Sequence, residues 1–372
     1  MVKIIHCADL HLDSKMTANL SNEKAKERKI ELLSTFKRMV DYADNNDVSA
    51  IIIAGDMFDI KNISATAKNA VLDTINTHAD ITFYYLKGNH DAESLVLDQE
   101  IVPDNLKLFG DKWTSYTIEG TSNVVITGVE LGKENRNSVY TSLTLDNDKF
   151  NIVTLHGQES VNALSSKASE KEEIILIKEL KNKGIDYLAL GHVHTPKMET
   201  LDARGKYCYA GCLEGRGFDE CGEHGFMLLS IDEKKHKYQA DFIPFASRNL
   251  YELVVDITGC MTTSEIEVNV KKAFVESGYD ERSLIKVILQ GDVDVECEKN
   301  IDFLVKQFEN DFYFIKIYDE TKLKVDYNAF ALDESLKGEF VRKVLSAKDI
   351  DEEDKATIIR YGIQVLAGEE IQ

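Results

Sequence analysis

The chain has 372 residues, 43% hydrophobic and 29% charged, an ordinary globular composition that excludes a disordered tail, a collagen and a coiled-coil rod. Its formal net charge is −21, with 29 basic against 38 acidic residues over 1–250 and 15 against 27 over 251–372. Neither part therefore has the basic balance of a protein that grips nucleic acid unaided. No apolar run reaches the roughly 18 residues of a membrane-spanning helix. His6, Asp9, His11 and Asp13 interrupt the N-terminus where a secretory signal would be apolar. Six scattered cysteines make no disulfide framework. These features predict a cytoplasmic protein that does not enter a membrane.

Along residues 1–245, apolar runs predict strands at 2–5, 50–54, 81–86, 124–129, 151–155 and 186–190. Helical spacing predicts helices over 22–44, 65–78 and 169–183, the first with Ile30, Leu33, Phe36, Val40 and Tyr42 near one face. Short strands at 206–210, 225–232 and 237–244 follow. The order implies an α/β sandwich that finishes in antiparallel strands. Beyond 246–250 glycine and histidine thin out, and the pattern becomes strand 251–258, helix 263–277, strand 283–290, helix 300–310, strand 312–318, with closing helices over 334–348 and 352–367. Three parts are expected: residues 1–247, a small α+β domain at 248–326, and C-terminal helices at 327–372.

Polar motifs cluster where the predicted strands end. They are Asp9-Leu10-His11, Gly55-Asp56-Met57-Phe58-Asp59, Gly88-Asn89-His90-Asp91, Leu155-His156-Gly157 and Gly191-His192-Val193-His194. Ligands of open α/β sheets bind beyond the carboxyl ends of strands, and adjacent glycines let backbone approach an ion closely. Carboxylate, amide and imidazole together suit two first-row divalent cations, which need a bridging carboxylate to sit about 3.5–4 Å apart. Asp56 is the natural bridge. Asp9, His11 and His194 complete one set, and Asn89, His156 and His192 the other. The mixed oxygen–nitrogen set fits manganese, iron, cobalt or zinc. By contrast, Cys208, Cys212, Cys221 and His224 depart from standard zinc-finger spacing and are read as core and loop residues.

The ordered series DxH, GDxxD, GNHD, H, GHxH resembles the signature of the calcineurin-like metallophosphoesterase superfamily over roughly residues 1–245. ADLHLD and GNHD resemble the SbcD group of DNA repair exonucleases, and the segment Tyr209–Glu220 its YhaO-like branch. The resemblance implies a four-layer metallophosphoesterase-type β-sandwich flanked by helices, with an α+β capping domain and C-terminal helices. It places the metal ligands on Asp9, His11, Asp56, Asn89, His156, His192 and His194. It makes His90 the histidine that contacts the scissile phosphate, with Asp59 fixing its tautomer. Two metal ions, Mn2+ foremost, would activate water for phosphodiester hydrolysis, and Arg216, between two glycines, could reach substrate phosphate.

The implied role is a DNA exonuclease or endonuclease in repair, working beside an SbcC-like coiled-coil ATPase onto which the closing helices dock. Their apolar stripes include Tyr327, Phe330, Leu332, Leu336, Phe340, Ile358, Ile359, Ile363 and Leu366. A homodimer through the helix over 65–78, with Ala67, Ala70, Val71 and Ile75, fits the same group. The alternatives are a small-phosphodiester or phosphomonoester hydrolase and a non-catalytic scaffold. Ile60, where protein phosphatases of the superfamily carry arginine, counts against a protein phosphatase, and the complete ligand set counts against a scaffold.

Overall fold

Strands covered on both faces read as unbroken apolar runs rather than as alternation, and the first 250 residues are built on that pattern. The computed structural model describes all residues except 17–19, 60–62, 92–101, 137, 161–173, 295–296, 325–329, 331 and 368–372. The chain divides into two units, Met1–Leu250 and Tyr251–Gln372. The first contains β1 (Val2–Cys7), β2 (Ala50–Ala54), β3 (Thr82–Leu86), β4 (Leu106–Leu108), β5 (Thr114–Thr117), β6 (Val124–Gly128), β7 (Phe150–His156), β8 (Gln158–Ser160), β9 (Ile174–Leu176), β10 (Tyr187–Gly191), β11 (Lys197–Thr200), β12 (Lys206–Tyr209), β13 (Gly225–Asp232) and β14 (Lys237–Pro244). Helix α1 (Asn22–Asn45) follows β1, and α2 (Ala65–Thr77) follows β2.

Two six-stranded sheets form, in the orders β14-β13-β1-β2-β3-β4 and β11-β12-β10-β7-β6-β5. Ile4, Ile52, Tyr84 and Leu86 of the first sheet pack with Ile126, Ile152, Tyr187 and Ala189 of the second, forming the core between them. The outer face of the first sheet packs under α1 and α2 through Ile5, Ile51, Ile53, Phe83, Phe36, Met39, Val71 and Ile75. The outer face of the second is covered by short helical turns at Val139–Ser142 and Ile177–Leu180. This is the four-layer sandwich that the strand pattern and the family resemblance imply.

Helix α1 starts where the Ser21 hydroxyl accepts a hydrogen bond from Lys24 N, an N-cap that satisfies one orphan amide. Its inner face is Ala25, Arg28, Leu32, Phe36, Met39 and Ala43, at i, i+3/i+4 spacing. Ile30, expected on that face, is instead 61% exposed, because it lies off this stripe. The apolar residues of α2 named above as a homodimer face are partly used inside the chain, since Ala67, Val71 and Ile75 are buried in its own core.

The helix expected over 169–183 is replaced within the described residues by β9 and the turn Ile177–Leu180. Ile174-Ile175-Leu176 is a β-favouring run, and it pairs in parallel with Gln158–Ser160. Residues 169–173 of that expectation, with Ile60 and Tyr327, lie outside the described residues. Strands β4, β5, β8 and β11 have three or four residues each, too few to show a period in the sequence.

In the second unit, β15 (Leu250–Asp256), β16 (Leu284–Gln290) and β18 (Phe314–Asp319) form one sheet, and β17 (Asp292–Asp294) and β19 (Lys322–Lys324) pair beside each other. Helix Thr263–Ser277 is closed at both ends, by a Thr262/Glu265 capping box and by Gly278 in the left-handed region. With helix Ile301–Phe308 it covers a core of Val255, Ile266, Val270, Ile285, Val287, Leu304 and Phe308. Helices Leu336–Leu345 and Glu352–Ala367 pair through Val341, Ile359 and Ile363.

Candidate metal centre

Register assembles the site. Gly191 of β10 lies opposite His156 of β7. The pairing of β1 with β2 continues past both strands, with Asp9 N donating to Gly55 O (3.1 Å), His11 N to Asp56 O (3.0 Å) and Leu12 N to Met57 O (2.8 Å). The two motif loops are thereby zipped together at the carboxyl ends of the first sheet. His156 Nδ1 donates to Ala54 O at 2.9 Å and so bridges the two sheets. Gly191 permits that approach, because a Cβ there would lie 1.9 Å from Ala54 O. Asp9, His11, Asp56 and His192 all adopt positive φ, at 51°, 43°, 52° and 101°. Such backbone is uncommon outside glycine and is held only where the surroundings over-determine it.

All seven expected ligands and His90 are brought together, and the donor geometry is informative. Asp9, His11 and His194 offer atoms within 4.8 Å of one another, and so do Asp9, Asp56 and His156. Asp56 Oδ2 lies 3.4 Å from His156 Nε2 and 3.9 Å from His11 Nε2, between the two sets. Asn89 Oδ1 lies 3.1 Å from His156 Nε2 and 3.3 Å from His192 Nδ1. His192 joins through its backbone as well, its N–H reaching both oxygens of Asp9 at 3.0 Å.

A third group, His11, Asp59 and His90, sits beside these. Asp59 Oδ1 lies 3.3 Å from His90 Nδ1, 3.3 Å from His11 Nδ1 and 3.4 Å from an Arg216 Nη1, while its Oδ2 accepts from Ser14 Oγ at 2.8 Å. His11 Nδ1 is not aligned for a hydrogen bond and makes none. His90 N donates to Asp56 Oδ1 at 2.9 Å, so the GNHD loop is braced on the central carboxylate.

The donor set fits cations. With Nδ1 of His156 committed to a carbonyl, its Nε2 presents a lone pair to Asn89 Oδ1 and Asp56 Oδ2, which also only accept. The Nε2 atoms of His11 and His194 face each other at 3.2 Å, and His194 Nδ1 is taken by Glu220 Oε1 at 2.6 Å. A buried cluster made of acceptors holds together only around a positive charge: a proton when bare, metal ions when loaded.

The electrostatics agree. Burial pushes the Asp9 carboxyl up to about 6, against His156 and His194, with Asp56 adding to the rise. Burial opposes the charged form of His156, but Asp56 and Asp9 outweigh it and raise the imidazole to about 10. Burial would raise Asp56 too, yet His156, His11 and the His90 amide hold it at about 2. The His90 imidazole is raised chiefly by Asp59.

Arg216 is held by carboxylates: its backbone N and guanidinium bind Glu220, and one Nη1 faces Asp59. Four further residues carry the site without having been given a role in the sequence reading. Glu220 is buried against His194 and Arg216. Asp91, in the GNHD motif, ties two motif loops by accepting from Phe58 N and Gly88 N, both at 2.9 Å. The buried Arg28 donates to Glu214 and to Gly215 O, anchoring on α1 the loop that carries Arg216. Each makes contacts across the fold, which leave no periodic trace in the sequence. Cys212 Sγ does lie 3.2 Å from His224 Nδ1, but no four-ligand cysteine site exists among the described residues.

The family model for calcineurin-like phosphoesterases matches residues 2–196, more than half of the chain, and the chain belongs to that family. It is thus a phosphoester hydrolase by class, of a kind that binds two divalent metal ions. Among individual proteins it is similar to the uncharacterized metallophosphoesterase YhaO of Bacillus subtilis (strain 168), 28% identical over 247 residues that span 63% of this chain and 59% of the relative. It is also similar to the DNA double-strand break repair protein Mre11 of Saccharolobus solfataricus, 24% identical over 100% of this chain and 97% of the relative. The match thus spans less than two thirds of the length of the Bacillus relative. A solved structure from Thermus thermophilus aligns with a TM-score of 0.42 at 15% identity, over 65% of this chain and 98% of that one. No helix among the described residues is long and apolar enough to cross a membrane.

Proposed function

We propose that the chain is a two-metal phosphodiesterase that acts on DNA as an exonuclease or endonuclease in repair. The observation that carries this reading is the buried acceptor cluster, whose two carboxylates, Asp9 and Asp56, stand among imidazoles with no lysine or arginine paired to them among the described residues. Asp9, His11 and His194 hold one divalent ion, Asn89, His156 and His192 the other, and Asp56 lies between them. Mn2+ is the proposed metal, with Fe, Co or Zn as substitutes. The bound ions supply Lewis acidity and a water of lowered pKa. Asp59 orients His90 through Nδ1 and favours its protonated form. Half exposed, His90 then meets the scissile phosphate and donates to the leaving oxygen. Arg216 serves the site by holding Asp59, and its contact with substrate is secondary.

The C-terminal pair of helices fits a partner. Ile358, Tyr361, Val365 and Leu366, with Leu332 and Leu336, leave apolar side chains exposed, while Ile359 and Ile363 close the pair. An amphipathic surface of this kind docks in a groove, and a coiled-coil ATPase of the SbcC type is the proposed occupant. It would bring the basic DNA surface that a chain of net charge −21 does not offer. The same charge favours, as a second reading, a small phosphodiester or phosphomonoester as substrate.

The test is hydrolysis of end-labelled duplex and single-stranded DNA, and of a small aryl phosphodiester, with Mn2+. His90→Asn should lower kcat by about 100-fold on either substrate while the bound metal stays at the wild-type level. Cleavage of the aryl diester but never of DNA, with the ATPase partner present, would remove the nuclease assignment. An unchanged kcat in His90→Asn would remove the role of His90.

A further inference from the structure

Glu220 belongs to none of the five motifs, yet its carboxylate is the most heavily used near the site. Its side chain is 5% exposed. Oε1 accepts from His194 Nδ1 at 2.6 Å and from Arg216 Nη2 at 2.7 Å. Oε2 accepts from Arg216 N at 2.7 Å, and Arg216 Nε lies 3.2 Å from Oε1. The remaining Nη1 of Arg216 faces Asp59 Oδ1 at 3.4 Å, and that same oxygen faces His90 Nδ1 at 3.3 Å. The contacts form an unbroken chain: His194, Glu220, Arg216, Asp59, His90.

We propose that Glu220 is a positioning residue with two duties: it fixes the tautomer and ring direction of His194, and through Arg216 it sets the Asp59–His90 pair. The inference rests on the two-metal reading above. The physical reason for the first duty is tautomeric. A carboxylate can only accept, so it keeps the proton on Nδ1 and turns the Nε2 lone pair toward Asp9 and His11. The reason for the second is charge. Glu220 and Asp59 bracket one guanidinium, so Arg216 is spanned between them in a single direction rather than swinging to solvent. Arg28 and Glu214 seat the start of the same loop on α1, and a Cβ at Gly215 would lie 2.6 Å from His224 Nε2, so the loop has little room to shift. A carboxylate with one partner could be replaced by any acceptor; one with two partners of different kinds cannot.

The two duties separate by substitution. Glu220→Ala removes both. Glu220→Gln keeps an amide oxygen for His194 Nδ1–H but loses the charge that holds Arg216. Mn2+ titration by calorimetry, with kcat and KM on an aryl phosphodiester and melting of the metal-free proteins, reads them out. Glu220→Ala should weaken one of the two Mn2+ equivalents by about 10- to 100-fold and leave the other within about threefold. Glu220→Gln should recover most of that affinity while kcat stays low and KM is unchanged. Arg216→Lys should bind Mn2+ as wild type does and share the low kcat. A ring-nitrogen NMR spectrum of metal-free Glu220→Ala should show His194 leaving its Nδ1–H form. Wild type with two Mn2+ equivalents and Glu220→Ala with both unchanged would overturn this inference alone. So would an equal loss of both equivalents in step with a lowered melting temperature. Wild type that takes up no Mn2+ would overturn the two-metal reading and this inference together.

Discussion

Strand β10 carries an aspartate at one end and a histidine motif at the other, and the two ends solve the same problem differently. At its amino end, Asp186 is 3% exposed and accepts from Arg204 Nε and Nη2, both at 2.9 Å, from Asn151 N at 2.8 Å, and meets His236 Nε2 at 2.9 Å. Each carboxylate oxygen accepts from the guanidinium, and that permanent cation balances the charge. At its carboxyl end, the equally buried Asp9 accepts from one backbone amide, His192 N, with imidazoles and a second carboxylate around it. Both places combine aspartate with histidine. What separates an anchor from a metal cradle is whether the chain supplies a fixed cation. A buried carboxylate left without one calls for a proton or a metal.

Three substitutions or conditions would break or sharpen that contrast. The largest effect is expected for His156→Ala, which removes the imidazole shared by Asp56 and Asn89. Mn2+-dependent hydrolysis should fall by more than about 100-fold, since even outer partners of a ligand are worth about 10- to 100-fold. Activity near wild type would mean that the cluster is not the catalytic centre.

Next, Arg204→Met should leave Asp186 buried with an unmatched charge and lower stability by about 3 kcal/mol. Urea denaturation of the metal-free protein would show it, and metal-dependent hydrolysis at 25 °C should not change. A loss of activity without a loss of stability would couple the two ends of β10 and undo the contrast.

The smallest effect concerns pH. In the metal-free protein the His156 imidazole, raised to about 10, and the Asp9 carboxyl, raised to about 6, both carry protons that a metal ion must displace. Mn2+ affinity should therefore rise with pH, by about tenfold per unit for each proton released, steepest below pH 6 where Asp9 also gives one up. Calorimetry across pH 5–8 in buffers of different ionisation enthalpy would count those protons. Affinity that is flat over this range would mean the cluster is already deprotonated.

Much of this was legible in the residues. Apolar runs gave β2 and β13 to the residue, and alternation of polar with apolar residues gave β14, because a strand covered on both faces and one covered on a single face each leave a clear pattern. The site residues were legible for a chemical reason: histidine and aspartate directly after an apolar run are conspicuous, and five such breaks in order leave few other readings. What failed had short or mixed signals. The run Ile174–Ile177 fits a helix as well as a strand until β8 is there to pair with it, and Ile30 looked like a core residue until the inner stripe of α1 was seen to run through Arg28 and Leu32 instead.

By itself, then, the order of residues determined the alternation of strand and helix, the family, and the identity of the polar groups at the strand ends, since these depend on neighbours a few positions apart. The tertiary structure alone decided that β7 and β10 register His156 against Gly191, that Asp9, His11, Asp56 and His192 are held at positive φ, that Arg216 is clamped between Asp59 and Glu220, and that Asp186 has its arginine while Asp9 has none among the described residues. Those facts set metal affinity and proton placement. They depend on distances between atoms far apart in the chain, which no local pattern encodes.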